Sequence, residues 1–443
     1  MTAREAAFVS LQKYETSGKY VNIEADTAIR RNRLEGPDRA LYTALFYGTV
    51  ERKITLDYRI AQLSSRPIDE IDRNVRIILR MSLYQLIWMD RIPAYAVLQE
   101  AGDLCRRFAA DSAVAFVNGI LREWERRKEA LPLPDEKTDY IRFLSVSYSY
   151  PEWICSLWSE AYGKAKTKRI FEAFDQSPPL TLRVNTMKGT KEDLLKRLHD
   201  RSVGAGPTLF TQDGIRLTSH LPPEAVPGFE EGCFFVQDEA SQLAVELLDP
   251  AEGERVLDAC ACPGGKSFSA AMRMRNRGSV TCFDLHANKL SLILSGAERL
   301  GLSILDVREQ DGTVFDSTLE RSFDRVLCDV PCSGLGVLSK KPDIRYKRED
   351  EIQRLPAIQR AILSVNARYV RPGGTLLYST CTLHRKENEE NIIDFLSEHP
   401  DFEPVPIEIP RKGIRKEDGM LTLFPDDFPG LDGFFVAKMR RIR

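Results

Sequence analysis

The sequence predicts a mixed α/β chain in three parts: an all-α part over 1–130, a small α+β part over 140–235, and an α/β part over 236–443. Three observations predict this. From about residue 236 strand-like and helix-like patterns alternate, which means a mostly parallel sheet with helices on both faces. Over 1–130 the apolar residues recur at helical period. Between the two, Leu131-Pro-Leu-Pro-Asp-Glu-Lys-Thr-Asp139 carries two prolines and no apolar period, as a linker does.

Each element follows from a local pattern. Val117, Ile120, Leu121 and Trp124 stand at i, i+3, i+4 and i+7, one apolar stripe behind the capping candidates Asp111 and Ser112. Leu41, Leu45 and Phe46 repeat the pattern, as do Val75, Ile78, Leu79 and Leu86. In the middle part, helical patterns at 152–162 and 165–174 precede a strand, Leu180-Thr-Leu-Arg-Val184. A further helix opens at Thr190, with Asp193 three residues on as a relative of the capping box. In the last part, strands are expected at 255–259, 279–283, 323–328 and 375–379, and helices at 267–275, 287–300, 350–369 and 386–399.

Composition narrows the class. The 443 residues carry 63 Lys+Arg against 65 Asp+Glu, so overall charge selects no partner. No run of about 18 apolar residues occurs, and Met1 to Ser10 has no basic flank leading into an apolar core. Neither a membrane span nor a secretory signal is expected. The nine cysteines are odd in number and contain no Cys-x-x-Cys, which fits reduced thiols in the cytoplasm and no metal site.

In a parallel sheet, ligands bind beyond the carboxyl ends of the strands, so the chemistry is sought there. The first strand ends in Asp258-Ala-Cys-Ala-Cys-Pro-Gly-Gly-Lys266, a glycine turn opening a helix whose free amides suit a ligand. Asp284 ends the next strand, 20 residues after Gly264, the spacing of an acid that holds ribose hydroxyls. There is no full G-x-G-x-x-G, so an adenosyl ligand without a pyrophosphate fits better. Asp311, in Gln310-Asp-Gly312, is as readily a plain turn former. The last two strands end in Asp329-Val-Pro-Cys-Ser-Gly334 and Ser379-Thr-Cys-Thr382. Taken singly, Cys332 or Cys381 is an ordinary small hydrophobe. Two thiols and a carboxylate converging beside a nucleoside pocket ask for more. Pyrimidine C5 is a poor nucleophile, and adding a thiolate at C6 makes C5 able to attack an electrophilic methyl group. An acid near N3 and N4 would stabilise the charge that develops.

Cys260-Ala-Cys-Pro-Gly-Gly-Lys266, Asp329-Val-Pro-Cys332 and Ser379-Thr-Cys-Thr382 resemble the signatures of the NOL/NOP/Sun family of RNA cytosine-5 methyltransferases, which use S-adenosylmethionine. Arg39-Ala-Leu41, Tyr47-Gly-Thr-Val50, Leu83-Tyr-Gln-Leu86, Arg91-Ile-Pro93 and Val117-Asn-Gly-Ile-Leu-Arg122 resemble the NusB-like domain of its RsmB/Fmu/Sun-type bacterial 16S rRNA members. The likeness extends to the ending Asp432-Gly-Phe-Phe-Val-Ala-Lys438. It implies a Rossmann-like class I methyltransferase domain at 236–443, preceded by a NusB-like helical domain at 1–130 and an RNA-contacting region at 140–235. It implies Cys381 as the nucleophile at C6, Cys332 as the thiol assisting release, and Asp329 against both cytosine and donor. Cys260, Ala261, Cys262, Pro263, Gly264, Gly265 and Lys266 would hold the methionine end, Asp284 the ribose and Asp311 the adenine side. The chain departs from the pattern at Cys262, where the family usually has Ala.

The partner implied is 16S rRNA, free or in an early assembly state, at one specific cytosine; no DNA is expected, and the oligomeric state is left open. Alternatives are the same chemistry on tRNA or another rRNA site, a DNA cytosine methyltransferase in which Cys332 would attack, and a non-catalytic RNA-binding assembly or antitermination factor. Basic clusters offered for the phosphate backbone are Lys164 to Arg169, then Arg273, Arg275 and Arg277, and above all Lys340, Lys341, Arg345, Lys347 and Arg348.

Overall fold

The computed structural model describes residues 1–17, 21–219, 221–409 and 412–443, and divides into two compact units. One unit comprises Met1–Asp175 with Lys340–Lys347; the other comprises Gln176–Ser339 with Arg348–Arg443.

The first unit is helical: α1 (Ala3–Ser17), α2 (Val21–Asn32), α3 (Gly36–Glu51), α4 (Lys53–Leu63), α5 (Arg73–Trp88), α6 (Ala94–Phe108), α7 (Asp111–Arg127), α8 (Tyr140–Tyr148), α9 (Glu152–Tyr162) and α10 (Lys164–Phe174). The stripe on α7 is buried as expected, with Val117, Ile120, Leu121 and Trp124 in one core with Phe8, Phe46 and Leu79. The cap differs. The helix starts at Asp111 behind Ala110, and no side chain caps it, so Asp111 acts as a first-turn acid complementing the helix dipole. The proline-rich stretch does not swing free: Leu131 is buried in the same core, and Gln62 donates to the Pro132 carbonyl.

The stretch Lys340–Lys347 belongs to this helical unit, which corrects one expectation. Arg345 is fully buried, its guanidinium 4.3 Å above the Tyr150 ring and donating to the Glu51 carbonyl at 3.1 Å. Arg345 is a packing residue, tied up by stacking and carbonyls, and does not present charge to a phosphate. Arg348 pairs with Asp350, and Arg273, Arg275 and Arg277 pair with Asp249 and Glu252. Part of the charge of each cluster is therefore engaged by acids of the protein itself.

The second unit holds two main sheets. The smaller is antiparallel, with strand order β2-β3-β1-β4, built from β1 (Leu180–Val184), β2 (Ala205–Pro207), β3 (Gly214–Leu217) and β4 (Phe234–Val236). Its helix α11 (Lys191–Asp200) carries a complete capping box between Thr190 and Asp193. After α12 (Glu239–Leu248), an unanticipated helix, comes the larger sheet: β5 (Arg255–Asp258), α13 (Gly265–Arg273), β6 (Ser279–Asp284), α14 (Ala287–Leu300), β7 (Leu305–Glu309), β8 (Phe323–Asp329), α15 (Glu349–Ile352), α16 (Leu355–Ala367), β9 (Val370–Thr380), α17 (Glu389–Glu398), β10 (Phe402–Pro404), the paired β11 (Ile407–Ile409) and β12 (Ile414–Lys416), β13 (Met420–Leu423) and β14 (Phe434–Arg441). The helix expected at 350–369 is two helices, because Pro356 lacks an amide and starts a new first turn.

The order is β10-β14-β9-β8-β5-β6-β7, with β5 to β9 parallel and β14 antiparallel to β9. The chain winds outward from β5 through β6 and β7, then returns to the other side of β5 as β8. That reversal opens a crevice at the carboxyl ends of β5 and β8, where Rossmann-like sheets hold ligands. Asp258, Asp284, Asp329 and Thr380 end four of these strands, so all their loops emerge along one edge.

Candidate active site

The turn after β5 is shaped by backbone. Gly264 has φ of 108°, and a Cβ there would stand 2.4 Å from the Phe268 ring, so only glycine fits. The amides of the first turn of α13 have no intrahelical acceptor. Of the side chains in this turn, Cys260 packs into the core around Phe283 and Val330, where burial pushes its thiol well up. Ala261 is buried in a second core. Cys262 faces the Lys289 carbonyl at 3.4 Å, and burial together with Asp284 pushes its thiol up to about 12. The extra sulfur is therefore a protonated thiol at neutral pH. Pro263 follows a cis peptide bond.

Asp284 is drawn to this turn, its Oδ2 accepting from the Cys262 amide at 3.2 Å and its Oδ1 from the His286 amide at 3.0 Å. Asp311 lies past β7 with its Oδ1 taken by the amide and hydroxyl of Thr313, which hold the carboxyl below its ordinary range. Its observed contacts are those of a turn former.

Lys266 reaches from the glycine turn to the end of β8. Its Nζ lies 2.7 Å from Asp329 Oδ2, and Ser379 donates to Asp329 Oδ1 at 2.6 Å, so β5, β8 and β9 are tied through one carboxylate. Burial opposes the Lys266 charge, but Asp329 more than offsets this and its pKa is raised; Asp258 and Cys381 add to the same effect. Beyond Asp329, the sulfurs of Cys332 and Cys381 stand 3.3 Å apart. The Cys332 thiol is held well above its ordinary range, first by the hydrogen bond with Cys381, then by burial and the nearby Glu387 charge. The Cys381 backbone is fixed by close packing: its carbonyl accepts from the Gly336 amide at 2.9 Å, and a Cβ on Gly336 would stand 1.9 Å from the Gly433 carbonyl oxygen.

The structure thus gathers Cys332, Cys381, Asp329 and Lys266 in one place, and Asp284 with the Cys262–Gly264 turn beside it. The sequence reading missed the buried polar side chains behind the thiols: Gln359, Thr382, His384, Glu387, Asn388 and Asn391. The polar run Thr382-Leu-His-Arg-Lys-Glu-Asn388, between a strand and a helix, was the local signal for four of them; Gln359 and Asn391 lie within α16 and α17 and had none. Among the described residues, no cluster of three or more His, Cys, Asp and Glu side chains is arranged to hold a metal ion.

Known proteins share this arrangement of parts. Residues 1–126 match the NusB family, 150–224 the ferredoxin-like domain of RsmF/B-like methyltransferases, and 245–440 the family described as 16S rRNA methyltransferase RsmB/F. The chain is 39% identical to the probable ribosomal RNA small subunit methyltransferase B of Bacillus subtilis, with 99% of each chain covered. It is 35% identical to the protein of that name from Synechocystis, with 100% of each covered. Among solved structures, PH0851 is similar with a TM-score of 0.82 and 26% identity, over 98% of this chain and 97% of that one. Similarity that runs from end to end at these identities leaves one conclusion, that the chain belongs to the RsmB/F family of 16S rRNA methyltransferases.

Proposed function

We propose that this methyltransferase transfers a methyl group from S-adenosylmethionine to C5 of one cytosine of 16S rRNA, through a covalent bond between Cys381 and C6. The single observation that carries this reading is the pair of sulfurs 3.3 Å apart, next to the Lys266–Asp329 pair at the sheet edge. The glycine turn and Asp284 fit the methionine and ribose ends of the donor, and Asp311 is assigned to the adenine side. When bound, the donor supplies a sulfonium methyl group.

Cys381 adds as thiolate to C6, and the C5=C6 electron pair moves onto C5. Asp329 is assigned to the ring edge, where its carboxylate accepts from the N4 amino group, and the Lys266 ammonium paired with it steadies the negative charge that develops on the ring. C5 takes the methyl group, and the donor sulfur keeps the electron pair of the broken bond. In this adduct Cys381 is a neutral thioether, so the strongest influence holding the proton on Cys332 has gone. Cys332 then gives its proton to solvent and takes the one from C5. The freed pair restores C5=C6 and expels Cys381 as thiolate, with one proton released per turnover. Extruding the base costs a few kcal/mol, least from single-stranded RNA. The helical part at 1–130 and the middle part at 140–235 are assigned to holding the RNA or its assembly partners.

The test is tritiated methyl transfer onto an unmodified 16S transcript, with the modified base mapped. Cys381→Ala should lose at least about 10³-fold in rate while still binding RNA, the usual scale for removing a nucleophile. Cys332→Ala should accumulate a protein–RNA adduct that survives a denaturing gel. Methylation persisting in Cys381→Ala, or label found only on tRNA, overturns the reading.

A further inference from the structure

Three sets of buried hydrogen bonds converge on the two cysteines, and none involves an atom used in the steps above. The peptide groups on both sides of Cys332 are held. Gln359 Nε2 donates to the Pro331 carbonyl at 2.9 Å, and the Ser333 amide donates to Glu387 Oε2 at 2.8 Å. Gln359 also donates to that Oε2 at 2.8 Å, and His384 Nδ1 stands 3.1 Å from Oε1. Three groups meet at Glu387, which is 0% exposed, and a carboxylate, which only accepts, matches them. The residues on both sides of Cys381 are held by Asn388. Thr380 Oγ1 donates to its Oδ1 at 2.6 Å, and its Nδ2 donates to the Thr382 carbonyl at 2.9 Å. Ser333 and Thr382 then close the gap between the two loops, their hydroxyls 2.7 Å apart.

We propose that Glu387 and Asn388 are paired positioning residues: Asn388 sets the Cys381 segment, Glu387 sets the Cys332 loop, and the Glu387 charge keeps the shared proton on Cys332 so that Cys381 carries the negative charge. This rests on the nucleophilic role given to Cys381 above. The electrostatics of the pair are asymmetric. Cys332 has Glu387, with His384 behind it, and the Tyr378 hydroxyl within its electrostatic reach; Cys381 has Lys266, itself paired with Asp329. An anion behind one sulfur and a cation before the other favour Cys381 over Cys332 as the nucleophile.

Glu387→Gln separates charge from shape, because the amide oxygen still accepts from Ser333 and Gln359 while its nitrogen donates to the other tautomer of His384. The full-length protein, without RNA, is titrated with iodoacetamide from pH 6 to 9, and alkylation of each cysteine is read by peptide mass spectrometry. The wild type should label Cys381 ahead of Cys332. Glu387→Gln should narrow that preference at least threefold and bring Cys332 labelling to lower pH. Asn388→Ala, which leaves the Glu387 charge in place, should slow RNA adduct formation with KM for both substrates unchanged and keep the labelling preference. An unchanged preference in Glu387→Gln overturns the charge role. If that variant does not fold, Asn388→Ala still decides: equal losses in every readout mean that the network only supports the fold. A wild type that labels selectively but forms no RNA adduct would instead overturn the proposed function and leave this inference standing.

Discussion

The glycine turn after β5 and the cysteine corner after β8 and β9 lie on one sheet edge, yet they are held by different means. The turn is made of backbone: a left-handed glycine, amides at a helix start, and one carboxylate accepting from the main chain. The corner is made of side chains that are almost wholly buried and that bond to one another across the loops. A turn of the first kind fails when an atom is added to it. A corner of the second kind fails when a partner is removed, since an unsatisfied buried polar group costs about 1–3 kcal/mol.

The largest effect expected from the turn comes from Gly264→Ala. The new methyl group meets Phe268, and the backbone adopts a conformation that costs an L-residue about 1–3 kcal/mol. Donor affinity, measured by calorimetry, should fall about tenfold or more, while RNA binding is kept. Donor binding within twofold of wild type would mean that this turn does not shape the donor site.

Asp258 gives a smaller effect and tests the join between turn and sheet. It is buried at the end of β5 under the Ser267 hydroxyl, and burial raises its pKa to about 6. Below about pH 4 both folded and unfolded chains keep this proton. Between pH 4 and 6 the unfolded chain loses it first, so stability falls as pH rises, by up to roughly 3 kcal/mol, and levels off above pH 6. Asp258→Asn should flatten this slope in denaturant midpoints measured from pH 4 to 7. A slope identical to wild type would show that Asp258 is not the group responsible.

The same contrast explains what could be read in the sequence. Helices, parallel strands and the glycine turn are written in neighbours a few residues apart, and the stripe on α7, strand β1 and the Thr190 cap stand where their patterns place them. Each strand end that carries Asp258, Asp284, Asp329 or Cys381 was legible for the same reason. The corner was not. Ser333 meets Glu387 across 54 residues and Gln359 meets Pro331 across 28, and no local period encodes such pairs. The break at Pro356 is marked locally by the proline itself, yet the helix expected over 350–369 ran through it.

Charge runs mislead in the opposite direction, because they are conspicuous in sequence and often spent within the fold. Of the cluster that follows the Cys332 loop, Arg345 stacks beneath the helical unit's surface and Arg348 is engaged by Asp350 at 2.9 Å, which leaves Lys341 as its exposed lysine. A single exposed lysine near phosphate contributes about one unit of salt-dependence slope at most. Lys341→Ala should therefore weaken binding to the 16S transcript by less than about threefold, measured at several salt concentrations. A tenfold loss with a slope reduced by two or more would put this segment in the RNA footprint, and would make a loop held by protein contacts, not the open crevice, the principal grip on the nucleic acid.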